Sequence, residues 1–307
     1  MEMTTMTTAT KQLIVVVGPT GSGKTSLSID LARAFSAPII STDSRQLYRG
    51  MPIGTAQPTQ EELQAAEHHF IACRNIDEEF NCGAYEVEAL KRLEQLFESH
   101  EKVIAVGGSG LYIKALCEGL DELPEVSEEL REGLRKRLSI EGLESLLREL
   151  ELLDPQFYQT VDRQNPSRVL RALEVCLASG RPYSDFRGGE KQARDFNIIK
   201  VGIDMNRDTL YERINRRVEI MVADGLESEA HALYPHRALN SLQTVGYREF
   251  FDYFDGTISR EEAIDLIKRN SRRYAKRQMT WFRRDNSIKW FSSPDSAPVV
   301  DYINKVD

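Results

Sequence analysis

Residues 12–25 read QLIVVVGPTGSGKT. The apolar, β-branched run up to Val17 has no polar alternation and stops at a glycine, which is the pattern of a parallel strand covered on both faces. Gly18-Pro19-Thr20-Gly21-Ser22-Gly23-Lys24-Thr25 then satisfies G-x-x-x-x-G-K-[ST]. From Ser26 to Phe35, Leu27, Leu31 and Ala34 fall at helical spacing, so the motif sits between a strand and a helix, the context in which it binds phosphate. Its glycines let the backbone wrap an anion with N–H groups, and the helix N-terminus adds a favourable dipole. Lys24 supplies a point charge, and the Thr25 hydroxyl can ligate Mg²⁺. This predicts a diphosphate or triphosphate site without saying which molecule binds or which bond breaks. ATP-dependent phosphoryl transfer is the default for such a loop.

Working outward, PIIST at 38–42 is a second strand, VIAV at 103–106 a third, IIKVGIDM at 198–205 a fourth, and IKWF near the end a weak one. The third runs through Gly107-Gly108-Ser109-Gly110 into a helix. Strands alternating with helices predict an α/β fold: a P-loop NTPase-like core with a mostly parallel sheet. Ligands of such sheets bind at the carboxyl ends of the strands, here after Val17, Thr42 and Val106. Between 121 and 196 the strand signal disappears. SEELREGLRKRLS, EGLESLLRELELL and NPSRVLRALEVCLASG are helical, and RGGEKQARDFN at 187–197 is a polar return linker. The expected organisation is a core from 12 to 120, an all-α insertion from 121 to 196, and completion of the core by C-terminal helices from 197 to 300.

Composition narrows the class. No apolar run approaches the roughly 18 residues of a membrane span, and MEMTTMTTAT at the N-terminus lacks an apolar signal region, so a short polar leader and a cytoplasmic location are expected. Cys73, Cys82, Cys117 and Cys176 form no CxxC pair and suggest neither zinc nor disulfides. The neighbouring His68 and His69 diverge on any regular backbone, which argues against shared metal ligation. A net charge of −8 is unfavourable for binding nucleic acid unspecifically. Against that average, KRNSRRYAKRQMTWFRR at 268–284 carries Lys268, Arg269, Arg272, Arg273, Lys276, Arg277, Arg283 and Arg284 with no acid among them. It is either a phosphate-contacting helix with Tyr274, Trp281 and Phe282 interleaved or a solvated charged face.

The strings GPTGSGKT, DSRQ at 43–46, YRGMPIGTAQP, VGGSGLY, NPSRVLRALEV, VGYREF and KRQMTWFRR occur in the order found in bacterial tRNA dimethylallyltransferases, and the chain resembles that family from about residue 13 to 290. No C-terminal Cys/His cluster of the kind seen in eukaryotic relatives is present. The resemblance implies transfer of a dimethylallyl group from dimethylallyl diphosphate to N6 of an adenine 3′ of the tRNA anticodon. It implies Mg²⁺ as cofactor, the tRNA anticodon stem-loop as partner, no membrane association and a monomer. By the same resemblance Asp43 is the general base, and a carboxylate ionised at neutral pH suits that role. Arg217, Lys24 and Thr25 serve the departing diphosphate; Arg213 and Arg216 beside Arg217 are equally explained by surface pairing with acids.

Ser44, Arg45 and Gln46 correspond to contacts with the target nucleotide. Ser109, where the family commonly has threonine, retains a hydroxyl for tRNA. Arg131 and Ser167-Arg168-Val169-Leu170-Arg171 fall where the family touches the anticodon arm, with helix-surface arginines as the plain alternative. Gly21 stands where relatives often have alanine, a change expected to matter little. Three other activities remain open at this level: prenylation of free AMP, a P-loop small-molecule kinase, and an RNA-binding module without catalysis. An RNA clamp of arginines argues against the first, and the Asp43 and Arg217 pair against the last.

Overall fold

A computed structural model describes residues 11–189 and 191–306. The polar leader expected at 1–10 lies outside the described residues, as does Glu190 of the expected return linker.

The chain begins with β1 (Gln12–Val17), α1 (Lys24–Phe35), β2 (Ile39–Ser41), α2 (Gln60–Ala65), β3 (His68–His69), α3 (Cys82–Leu96), β4 (Lys102–Val106) and α4 (Gly110–Glu118). Four helices follow: α5 (Glu128–Glu141), α6 (Leu143–Leu153), α7 (Pro155–Thr160) and α8 (Pro166–Ser179). The chain then continues with β5 (Asn197–Ile203), α9 (Arg207–Ala223), α10 (Leu226–Leu233), α11 (Tyr247–Phe254), α12 (Arg260–Phe282), β6 (Lys289–Phe291) and α13 (Ser296–Val306). It divides into two compact units. Gly119–Gln192 forms one, and the remainder of the described chain forms the other.

In the larger unit the sheet order is β3-β2-β4-β1-β5-β6, and every pair is parallel. The central position of β1 explains its sequence. Leu13, Val15 and Val17 enter the core on one face, Ile14 and Val16 enter the core on the other, and all five are fully buried. Each such burial contributes about 1.5–3 kcal/mol, which favours an apolar run from Leu13 to Val17 on both faces. The fourth strand ends at Ile203, short of the expected Met205: the Asp204 amide still donates to the Phe291 carbonyl at 2.8 Å, while its carboxylate accepts from Arg283 at 2.9 and 3.1 Å, and a helix begins at Arg207. β3 was not legible beforehand. It is a two-residue edge strand, too short to show alternation, and its pairing comes entirely from β2.

The smaller unit is all helical around Leu134, Leu146, Leu147, Leu150, Val161, Val169, Ala172 and Leu173. Asp154, fully buried, organises one end of it: Oδ1 accepts from the Phe157 amide at 2.9 Å and the Ser184 hydroxyl at 2.8 Å, and Oδ2 accepts from the Ser184 amide at 2.7 Å. The same carboxylate caps α7, whose first residue is Pro155. Asn165 caps α8 in the same way, ahead of Pro166.

Replacing Asp154 with alanine strands three donors. Asp154→Ala is expected to lower the stability of the helical unit by about 3 kcal/mol, measured as an earlier urea transition.

Candidate functional site

The glycine-rich loop folds as its sequence demands. Gly21 and Gly23 sit at φ of 81° and 93°, and α1 starts immediately after Gly23. The amides of Gly21, Gly23, Lys24 and Thr25 make no hydrogen bond within the chain among the described residues, which leaves them for an anion. Gly21 is less neutral than expected: a methyl there would lie 3.0 Å from Ile214 Cγ1 at positive φ, so alanine would strain both loop and helix in this chain.

Three side chains from distant segments hold the loop. Arg217 Nη1 donates to Thr20 Oγ1 at 3.3 Å and Arg213 Nε to the Gly21 carbonyl at 2.9 Å, so the two arginines clasp it from one face of α9. Arg216 turns outward and is exposed. From α12, Gln278 Oε1 accepts from the Thr20 amide at 2.9 Å while its Nε2 donates to the Gly108 carbonyl at 3.0 Å, joining the loop to the end of β4. Lys24 Nζ donates to the Pro19 carbonyl at 2.8 Å. Burial, reinforced by Arg217 and opposed by Asp43, pushes the Lys24 ammonium down to about 7. Burial likewise holds the Arg217 guanidinium below its ordinary value.

Asp43 stands at the carboxyl end of β2. Its Oδ1 accepts from the Arg45 amide at 2.9 Å and the Gln46 amide at 3.3 Å, a tight turn that fixes the carboxylate from within its own segment. Ser109 lies behind this turn: its hydroxyl donates to Ser44 Oγ at 3.1 Å and accepts from the Ser44 amide at 2.9 Å. That hydroxyl is therefore used inside the protein, to place Ser44. The loop at 53–57 closes over the turn. Glu229 accepts from the amides of Ile53 and Gly54 at 2.9 and 2.8 Å and from the Tyr247 hydroxyl at 2.6 Å. Tyr247 packs so closely on Gly54 that a Cβ there would fall 2.4 Å from its ring.

Thr20, Lys24, Thr25, Asp43, Ser44, Arg45, Gln46 and Arg217 line a single cavity of about 400 Å³. Gly18, Pro19, Gly21, Ser22 and Gly23 form the loop backbone behind Thr20 and Lys24. The cavity also has walls that sequence reasoning left unassigned. Ile214, Val218 and Met221 give it an apolar strip along α9; Tyr274, Arg277 and Gln278 come from α12; Gln243, Thr244 and Arg248 come from the segment around α11. Tyr274 is kept protonated by burial and by the charge of Asp43, and so offers a neutral hydroxyl. The signal for the α12 residues was present in the basic segment, but it did not say which of its residues face inward.

That segment divides into two roles. Lys268 pairs with Glu219 at 2.8 Å, Arg272 donates to Asn215 at 2.5 Å, and Arg283 pairs with Asp204 at 2.9 Å. Arg269, Arg273, Lys276, Arg277 and Arg284 are exposed, without ion pairs among the described residues.

In the helical unit, Arg131 pairs with Glu128 at 3.2 Å and Arg171 with Glu174 at 3.1 Å. Ser167 and Arg168 are exposed in the first turn of α8, and Arg168 has no ion pair among the described residues. Val169 is wholly buried in the helical core and Leu170 packs against it, because α8 turns this face inward. His68 and His69 diverge as expected, and no group of three or more His, Cys, Asp or Glu side chains among the described residues could hold a metal. Nor is any described helix long and apolar enough to cross a membrane.

Comparison with known proteins agrees with this geometry. The model of the family described as IPP transferase matches residues 46–285. A tRNA dimethylallyltransferase of Christiangramia forsetii is 49% identical over 292 residues, covering 95% of this chain and 97% of the relative. A tRNA dimethylallyltransferase 1 of Bacteroides fragilis is 47% identical over 293 residues, covering 95% and 97%. The solved tRNA isopentenylpyrophosphate transferase of Bacillus halodurans is 37% identical with a TM-score of 0.71, covering 96% of this chain and 95% of its own. A eukaryotic dimethylallyltransferase acting on tRNA shares the fold, with a TM-score of 0.81 at 24% identity, covering 96% of this chain and 80% of its own. A match to the family model over most of the length, with near-half identity to relatives across almost the whole chain, places this protein in the IPP transferase family.

Proposed function

We propose that the cavity binds dimethylallyl diphosphate and transfers its five-carbon group to N6 of an adenine 3′ of the anticodon in tRNA. One observation carries the reading. A phosphate loop with Lys24, Thr25 and Arg217 shares a single cavity with the carboxylate of Asp43 and with the apolar strip Ile214, Val218 and Met221. A prenyl diphosphate presents an anionic and an apolar surface side by side, and this cavity offers a matching wall to each. The names of the relatives point the same way.

In the reaction the C1–O bond of the allylic diphosphate breaks and diphosphate leaves with the electron pair. The N6–C1 bond forms, and N6 gives a proton to Asp43. Lys24 and Arg217, each half-buried, face the oxygens on which charge develops, where such charges act more strongly than in open water. An adenine in a stacked loop cannot present N6 to a cavity wall, so the base must leave the stack and enter. Thr25 fits Mg²⁺: its hydroxyl lines the cavity, and Mg²⁺ is commonly held by one or two protein oxygens together with ligand phosphates and water. When bound there, Mg²⁺ would neutralise charge on the diphosphate. On the helical unit, Ser167 and Arg168 at the exposed amino end of α8 suit phosphates of the anticodon arm.

The protein with dimethylallyl diphosphate and unmodified tRNA is expected to yield prenylated adenosine, detected by mass after nuclease digestion. Prenylated AMP alone, or phosphoryl transfer from ATP, would overturn the reading. Asp43→Ala is expected to lower kcat about 10²- to 10⁴-fold while tRNA binding persists. Lys24 sets a pH dependence. The charged form binds diphosphate, so with the free-protein value near 7, affinity is complete below that pH and declines above it, by at most about tenfold per unit. Titrations from pH 6 to 9 should show this slope in the wild type, and in Lys24→Met only the slope of the ligand's own ionisation. Arg168→Ala is expected to weaken tRNA binding and reduce its salt slope by about one, with dimethylallyl diphosphate affinity unchanged.

A further inference from the structure

The parallel ladder between β1 and β4 runs out at the pair Val16 and Val106, followed by one long bond from the Gly107 amide to the Val16 carbonyl at 3.4 Å. Beyond it the two chains part, one into the phosphate loop and the other into the glycine-rich segment at 107–110. A side chain of α12 spans the gap. Gln278, 6% exposed, accepts from the Thr20 amide through Oε1 at 2.9 Å and donates from Nε2 to the Gly108 carbonyl at 3.0 Å. Its amide does what a peptide group would do in that place, one acceptor and one donor in a plane. Backbone partners of opposite kind fix which end is which. A Cβ on Gly108 would fall 2.1 Å from Nε2, so the bridge also needs the glycine opposite it.

The bridge reaches further, to Arg217. Thr20 is gripped twice: its amide donates to Gln278, and its hydroxyl accepts from Arg217 Nη1 at 3.3 Å. Among the described residues Arg217 has no ion pair, and Thr20 is its one hydrogen-bond partner. Where Thr20 stands therefore decides where the guanidinium stands. The two helices that hold Thr20 are themselves locked together. α9 and α12 pack through Leu210, Ile214 and Ala275, and are tied again by Arg272 to Asn215 at 2.5 Å and Lys268 to Glu219 at 2.8 Å. Ala275 lies one turn before Gln278, so this packing sets where the amide arrives.

We infer that Gln278 is a positioning residue for the transfer: by holding Thr20 across the ends of β1 and β4, it sets Arg217 at the place where the leaving diphosphate gathers charge. The inference rests on the proposed reaction and adds a residue that acts through Arg217. Lys24 and the free amides of Gly21, Gly23, Lys24 and Thr25 hold the ground-state diphosphate with or without that arginine in place. Loss of the bridge therefore falls on kcat more than on the KM for dimethylallyl diphosphate.

Gln278→Met keeps the length of the side chain and removes both bonds. It is expected to lower kcat about 10- to 100-fold, with a smaller rise in that KM. Thr20→Val removes the hydroxyl that meets Arg217 and leaves the amide in place. Because the two changes act along one line, the double variant is expected to lose little more than the worse single one; a loss equal to the product of the two would overturn the inference. Gln278→Glu gives a readout that a merely structural role would not move. Ionised, it sets acceptor against acceptor at Gly108; protonated, its O–H donates to Gly108 and its C=O accepts from Thr20, which restores the bridge. Lys24, Asp43, Arg217 and Tyr274 share the cavity, so each rate is taken as a ratio to the wild type at the same pH. The ratio is expected to lie about 10- to 100-fold below one at pH 8 and to climb toward one by about pH 5.5. A ratio that stays level would overturn the inference, and the comparison is made within one polypeptide, so it does not depend on Gln278→Met folding. Inorganic diphosphate is the departed leaving group itself, and its affinity for Gln278→Glu, taken as the same ratio, is expected to recover over the same range. The two readings fail separately. If the wild type makes no prenyladenosine, the proposed function falls while diphosphate binding still reads the bridge; if transfer is intact and both ratios stay level, only the role of Gln278 falls.

Discussion

A backbone that is to wrap an anion must leave its own amides unpaired, and that constraint shapes most of this structure. Gly21, Gly23, Lys24 and Thr25 direct N–H groups toward a ligand instead of toward the chain, so the loop cannot hold its own shape. It is held from outside, by Arg213 and Arg217 on α9 and by Gln278 on α12. These segments lie nearly 200 residues or more further along the chain, so the phosphate site forms only when the whole larger unit has closed.

The same economy governs the second loop of the site. The 53–57 segment forms no strand or helix; beyond its turn bonds its polar groups are met by Glu229 and Gln46, while its Gln57 reaches back to the carbonyls of Gln46 and Tyr48. The Gln46 bonds that steady the loop also fix a side chain facing the cavity. The cost falls on Lys24, which burial and Arg217 bring down to about 7.

Much of the fold was legible because it rests on local physics. The buried run at 12–17, the glycines after it and the positions of Asp43 and Arg217 follow from hydrophobic pattern, from backbone freedom and from resemblance to relatives. What escaped reading was of another kind. β3 owes its pairing to a neighbour, Val169 is directed inward by the packing of α8, and the hydroxyl of Ser109 is taken up by Ser44, from a segment 65 residues away. A motif string names these residues without saying which way they face.

By itself, then, the sequence determined the parallel core, the phosphate loop and the identity of the chemical groups around it, because each of these is written within one element or one turn. Only the tertiary structure decided which of those groups reach the cavity and which atom each presents. The orientation of the Gln46 amide is the sharpest instance: the sequence supplies a side chain that can donate or accept. Two carbonyls from a loop about ten residues away, held by a carboxylate from α10, leave it only the acceptor.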